Sequence, residues 1–224
     1  MSILFYGQDI QQATDEAKVL GLEVVTQEPH LIGVIGGDGT FMKAENAYPG
    51  VPKFILDKSR TAKKGSELSR TELLERIVRG RYKVDEEIKI EAHAKGANIA
   101  GLNEIIVHNA DPRSAIRYEL FVNNKQIGGE IIGDGVVIAT PYGSTGYYRS
   151  ITDSFFEVGI GIAFNNSTEQ SDHMVIRDDA TIRVRIIRGK AVAYADNNPK
   201  ELVLLDGDEI IVKRSEERAR IVQF

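Results

Sequence analysis

Near residue 81 the hydrophobic pattern of the chain changes period, and that change restricts the fold more than any other feature. Before it, short apolar runs alternate with helical patterns. Ser2 to Tyr6 reads as a strand, Asp9 to Leu20 as a helix stopped at Gly21, Leu22 to Thr26 and Leu31 to Ile35 as strands, and Val51 to Leu56 as the next strand. Ser69-Arg70-Thr71-Glu72 has capping-box spacing ahead of Leu73, Leu74, Ile77 and Val78, with Gly80 as a stop. Such alternation predicts a layered α/β unit. Beyond Arg81 two-residue alternation takes over: Ile88 to Ala92, a hairpin from Tyr118 to Val122 through Asn123-Asn124 to Gln126 to Gly129, then Thr181 to Ile187, Ala191 to Ala195, Leu202 to Leu205 and Glu209 to Lys213. No helix-length pattern of comparable quality follows. Two domains are expected, residues 1–83 as α/β and 84–224 as β-rich, with the extreme C-terminus a candidate to pack back on the first.

Composition narrows the chemistry. With 42% hydrophobic and 27% charged residues in 224, the chain can bury a core. Lys and Arg number 28 against 33 Asp and Glu, a net charge of −5, so there is no global field for a nucleic-acid partner and any anion must be held locally. The absence of Cys excludes disulfide scaffolds, thiolate nucleophiles, Fe–S clusters and the usual structural zinc sites. Met1 to Asp9 lacks the basic start of a signal peptide, and the most apolar stretch, Phe155 to Phe164, is too short to span a bilayer. A soluble cytoplasmic protein with no membrane partner is expected.

Three segments carry chemistry. In Leu31 to Met42 an apolar strand runs into Gly36-Gly37-Asp38-Gly39-Thr40, with Thr40 expected as a helix N-cap. Glycines let the backbone approach a ligand, and their amides with a helix start favour phosphate oxygens, so Gly36, Gly37, Gly39 and Thr40 are the expected phosphate cradle. The spacing is that of neither a dinucleotide fingerprint nor a Walker A loop. Asp38 reads as a general base on a hydroxyl or an indirect Mg²⁺ partner, the alternative being an Asp favoured by turn geometry alone. The second segment, Gly133-Asp134-Gly135 to Thr140-Pro141-Tyr142-Gly143-Ser144-Thr145-Gly146-Tyr147-Tyr148, delivers a buried strand into a hydroxyl-rich loop. There Ser144, Thr145 and Tyr147 are expected to offer donors and an aromatic face to a nucleotide. The third is Asn103-Glu104 before Ile105 to His108; neighbours on a strand face opposite ways, so both are usable only at a strand end or bulge.

Taken in order, these motifs resemble the NAD kinase family, whose hallmarks are a G-G-D-G-T turn, an N-E pair and a D-G-x-x-x-x-T-P-x-G-S-T-x-Y loop. The resemblance spans most of the chain, and the expected fold is a Rossmann-like α/β domain followed by a β-sandwich-like one. It implies phosphoryl transfer from ATP with Mg²⁺, or in some members from polyphosphate, to the 2′-hydroxyl of the adenosine ribose of NAD. It further implies Asp38 as proton acceptor with Gly39 beside the NAD, and Asn103, Glu104, Asp134 and the loop Thr145, Gly146, Tyr147, Tyr148, Arg149 and Ser150 as the dinucleotide site. Asn198 matches a late contact, Ile162 falls near a contact from a neighbouring subunit, and a homodimer or homotetramer is expected. No residue is expected to ligate a resident metal.

Three departures stand out. Where the family carries a Gly-rich segment, this chain reads Phe54 to Gly65 with four basic residues, Lys58, Arg60, Lys63 and Lys64, which are candidates for the donor phosphates beside the alternative of a solvated loop. Ile132 replaces a common basic residue, and Asp196-Asn197 stands where Asp-Gly is common. His30, His93, His108 and His173 show no metal-ligand spacing, and Lys213 to Arg220 reads as a solvated hairpin. The competing readings are a lipid or sugar kinase sharing the Gly-Gly-Asp-Gly turn, and a non-catalytic NAD(P)-binding sensor.

Overall fold

The computed structural model describes residues 1–58, 66–168 and 172–224, without the side chains of Asp57 and Lys58. Its elements are β1 (Ser2–Gly7), α1 (Ile10–Val19), β2 (Glu23–Val24), β3 (Leu31–Gly36), α2 (Asp38–Ala47), β4 (Lys53–Lys58), α3 (Arg70–Val78), β5 (Lys83–Ala94), β6 (Ala97–Gly101), β7 (Glu104–Asn109) and β8 (Ile116–Val122). They continue as β9 (Lys125–Gly133), β10 (Gly135–Ala139), α4 (Tyr147–Thr152), β11 (Ile160–Asn165), β12 (His173–Ile176), β13 (Ile182–Arg188), β14 (Ala191–Ala195), β15 (Leu202–Leu204) and β16 (Glu209–Gln223). Two compact units result: Met1–Glu87 with Glu217–Phe224, and Ile88–Glu216.

The first unit is a parallel sheet in the order β2-β1-β3-β4, to which the end of β16 adds beside β4 through Ile221 and Lys53. Parallel strands with both faces covered read as continuous apolar runs, and Ser2 to Phe5 and Leu31 to Val34 are buried without alternation. On one face Ile3, Phe5, Phe54 and Leu56 pack with Ala13 and Ala17 of α1 and Leu73, Leu74 and Ile77 of α3. Phe41, Met42 and Ala44 of α2 are also buried. The capping box of α3 forms as its spacing predicts: Ser69 Oγ accepts from the Glu72 amide, and the Ser69 amide donates to Glu72 Oε2.

In the second unit two sheets face each other across one core. One is β12-β11-β10-β7-β14-β15; the other carries the start of β16 with β13, β8 and β9 in line, and β5 and β6 beside it. Inward residues of both, among them Ile105, Val107, Ile138, Ile162, Tyr118, Leu120 and Val184, form a single cluster. The hairpin at Asn123-Asn124 closes with both residues at positive φ, 49° and 64°, and Val122 paired with Lys125, the arrangement that tight hairpin turns require.

Two expectations are corrected. Residues 213–220 are not a hairpin but the middle of β16: Ser215 and Ala219 point inward while charged residues point out, so small inward side chains hid the strand's alternation. A short helix, α4, arises from the loop after Gly146, where no helical period was visible. Among the described residues no helix is long and apolar enough to cross a membrane.

Candidate active site

In the first unit β3 ends at Gly36 and α2 starts at Asp38, with Gly37 as N-cap. The expected capping role of Thr40 is corrected, because its amide donates to the Gly37 carbonyl at 2.9 Å from within the helix. Thr40 instead explains the first glycine: Gly36 has φ +148°, and a Cβ there would lie 2.4 Å from Thr40 Oγ1. Half-buried Asp38 is the first helical residue, where the positive end of the helix favours a carboxylate and, equally, a phosphate. Lys58 closes β4, while Arg60, Lys63 and Lys64 lie outside the described residues.

In the second unit Asn103 and Glu104 sit where β6 turns into β7, a strand end, one of the two placements, with a bulge, in which both neighbours are usable. The turn is held from two sides. The Asp196 carboxylate accepts from the amides of Leu102 at 2.8 Å, Asn103 at 2.8 Å and Glu104 at 3.1 Å, and the Asp196 amide donates back to the Glu104 carbonyl. Thr140, fully buried after β10, donates its amide to Asn103 O at 2.8 Å and its hydroxyl to Leu102 O at 2.6 Å, and its Oγ1 accepts from the Gly143 amide. Gly143 lies so close over Asn103 that a Cβ would fall 2.2 Å from its carbonyl oxygen. A Cβ on Gly146 would come 3.7 Å from the buried carboxylate of Glu104. The Asn-Glu pair and the Thr-Pro-Tyr-Gly-Ser-Thr loop are therefore one construction. The Asn103 amide oxygen is buried and accepts no hydrogen bond from the described residues.

Other expected positions divide. Tyr147 lines a cavity of about 350 Å³ with Ser150, Asn165, Asn166 and Asp172, and its hydroxyl accepts from Asn165 Nδ2. Thr145 is half-exposed and Arg149 exposed. Tyr148 turns inward instead, packing with Val137, Ala139 and Ala163 and edge-on to Phe156 at 5.0 Å, so its ring is not offered to a nucleotide. The Ser144 hydroxyl is likewise spent inward, within hydrogen-bond distance of the Pro141 and Phe156 carbonyls. Ile162 is a fully buried core residue, so its side chain does not face a neighbouring subunit. Asp134 joins three strand ends: its carboxylate accepts from Asn109 at 3.1 Å and Asn166 at 2.6 Å. Asn198 closes its own turn by accepting from the Lys200 amide.

Residues 102–224 match the family model described as the ATP-NAD kinase C-terminal domain. The chain belongs to the NAD kinase family. Among relatives, a protein of Methanothermobacter thermautotrophicus named NAD kinase is 26% identical over 218 residues, 91% of this chain and 75% of that protein. A Methanococcus maripaludis protein named bifunctional NADP phosphatase/NAD kinase is 25% identical over 209 residues, 87% of this chain but only 36% of that longer protein. The fold is also that of an Archaeoglobus fulgidus NAD kinase solved in complex with ATP, with a TM-score of 0.77 at 21% identity, covering 98% of this chain and 92% of that one. The family match spans Asn103, Glu104, the loop and Asp196, and begins after the Gly36 to Thr40 turn.

Proposed function

We propose that the chain phosphorylates the 2′-hydroxyl of the adenosine ribose of NAD, giving NADP, with ATP as donor and polyphosphate as a second donor to be tested. The observation that carries this reading is the joining of the Asn-Glu pair to the Gly-Ser-Thr loop through Thr140 and Gly143, within the stretch that matches the family model.

Asp38 takes the ribose hydroxyl proton as the oxygen attacks the γ-phosphorus; the new O–P bond forms as the bond to the β–γ bridging oxygen breaks, and ADP leaves. Gly36, Gly37, Gly39 and Thr40 hold phosphate oxygens at the start of α2. Asn103, Glu104, Thr145 to Ser150 and Asp134 form the dinucleotide site, with Asn103 and Glu104 on its polar edge; for Tyr148 and Ile162 the contribution is limited to main chain and packing. Lys58, Arg60, Lys63 and Lys64 are candidates for donor contacts. Among the described residues no three His, Asp or Glu side chains are grouped to hold a metal ion. In this reading Mg²⁺ enters with the donor, as the magnesium–ATP substrate. A homo-oligomer and a cytoplasmic location complete the reading.

The test is direct: the protein incubated with NAD, ATP and Mg²⁺ yields a product accepted by an NADP-specific dehydrogenase. A parallel reaction with polyphosphate and a sizing column resolve donor range and assembly. Tight NAD binding without product would favour the sensor reading, and no binding a lipid or sugar kinase.

A further inference from the structure

Asp196 follows β14 at φ 49°, a left-handed conformation that Asp and Asn tolerate better than other side chains. The glycine usual for the family at the next position is dispensable here, because the positive φ falls on Asp196 itself and not on Asn197. From there one carboxylate accepts three successive backbone amides, those of Leu102, Asn103 and Glu104. Three consecutive N–H groups converging on one anion fix the backbone direction of every residue between them. The fit is close enough to dictate a neighbour: a Cβ on Gly101 would lie 2.8 Å from Asp196 Oδ1 and 2.7 Å from the Glu104 carbonyl oxygen. Burial raises the Asp196 carboxyl above its ordinary value, opposed by these amides and by the charge of Lys89, itself buried on β5.

We infer that Asp196 is a positioning residue for the dinucleotide site, setting the backbone from which Asn103 and Glu104 present their side chains. The inference rests on the NAD kinase reading for its kinetic consequence but not for the clamp itself. If the amides of residues 102–104 lost their acceptor, the turn would keep the two Thr140 bonds and the main-chain bond from Asp196 to the Glu104 carbonyl but would lose all three amide anchors, and both side chains would lose their fixed direction. Asp196 touches neither donor phosphates nor the reacting oxygen in this account, so its loss weakens NAD and not ATP.

The experiment uses the full chain with Asp196→Asn, which keeps the size and one acceptor oxygen, and Asp196→Ala, which keeps neither. Separate KM values are measured for NAD and ATP, and amide hydrogen exchange is followed on the peptide spanning residues 102–104. Asp196→Asn is expected to raise the NAD KM roughly tenfold and Asp196→Ala further, with the ATP KM held within about twofold and exchange in the turn accelerated in both. If the alanine variant does not fold, the asparagine variant carries the test alone. An unchanged NAD KM, a parallel rise in both KM values, or unchanged exchange in the turn overturns the role. If the wild type makes no NADP, the kinase reading fails while exchange still judges the clamp, so the two failures are told apart.

Discussion

Lys53 and Glu45 form an ion pair in the interior of the first unit, with Nζ 2.8 Å from Oε2 and side-chain exposures of 0% and 2%. Nζ also donates to the carbonyls of Tyr48 at 2.5 Å and Val51 at 2.7 Å, so all three ammonium protons have acceptors. Tyr48 is the C-cap of α2 and Lys53 opens β4, so the helix that begins at Asp38 is anchored at its far end to a central strand.

Lys53→Met is therefore expected to destabilise the chain by about 3–5 kcal/mol, because it removes the cation from a buried carboxylate and the donor from two half-buried carbonyls. The double variant Lys53→Met with Glu45→Leu should recover part of that loss but not all, since the carbonyls still lack their donor. Urea denaturation of both variants measures the difference, and equal stability of Lys53→Met and wild type would contradict it.

Gly143→Ala is expected to disrupt the site by steric overlap alone, since the added methyl meets the Asn103 backbone at 2.2 Å. NAD binding by calorimetry should fall at least roughly tenfold, with a lowered melting temperature. Gly129→Ala, where nothing lies within 4 Å, serves as the contrast and should leave both unchanged.

The parts of this structure that were legible in the sequence are those encoded locally. Ser69 and Glu72 announce their helix because both halves of a capping box lie within four positions. Asn123 and Asn124 announce a tight turn by tolerating positive φ. The geometry of strand neighbours makes the Asn-Glu pair usable only at a strand end or a bulge, and Glu104 opens β7. What the sequence hid depends on distant partners. Asp196 stands 92 to 94 positions from the amides it binds, and Lys53 looks like any strand lysine until Glu45 and two carbonyls surround it. Tyr148 and Tyr147 look alike in the sequence because α4 is too short to show a period; the helix turns Tyr148 inward and leaves Tyr147 at the cavity.

Acid should destabilise the protein with a specific sign. Glu72 is held below its ordinary 4.5 by the Ser69 hydroxyl and amide; Asp111 is held below 3.8 by the Arg113 side chain and amide, and Asp208 below 3.8 by Lys95 and the Leu205 amide. Folded values below unfolded ones mean that the unfolded chain takes up protons first. Their contribution is complete above about pH 4.5 and is lost as pH falls through the folded values. Asp196 runs the other way: its folded value lies above 3.8, so its contribution is fullest below 3.8 and is lost as pH rises through that folded value. The melting temperature should fall below pH 4.5, and more steeply in Asp196→Asn, which lacks the opposing group. A shallower fall in the variant would contradict the assignment.

Proton acceptance by Asp38 in the proposed reaction is read from the rate of NADP formation from NAD, ATP and Mg²⁺ in Asp38→Asn. The substitution keeps the shape of the helix start and removes the base. NADP formation is predicted to drop by about a hundredfold or more, within the range a positioned general base contributes, in a chain that melts as the wild type does. A variant that forms NADP at the wild-type rate would contradict it.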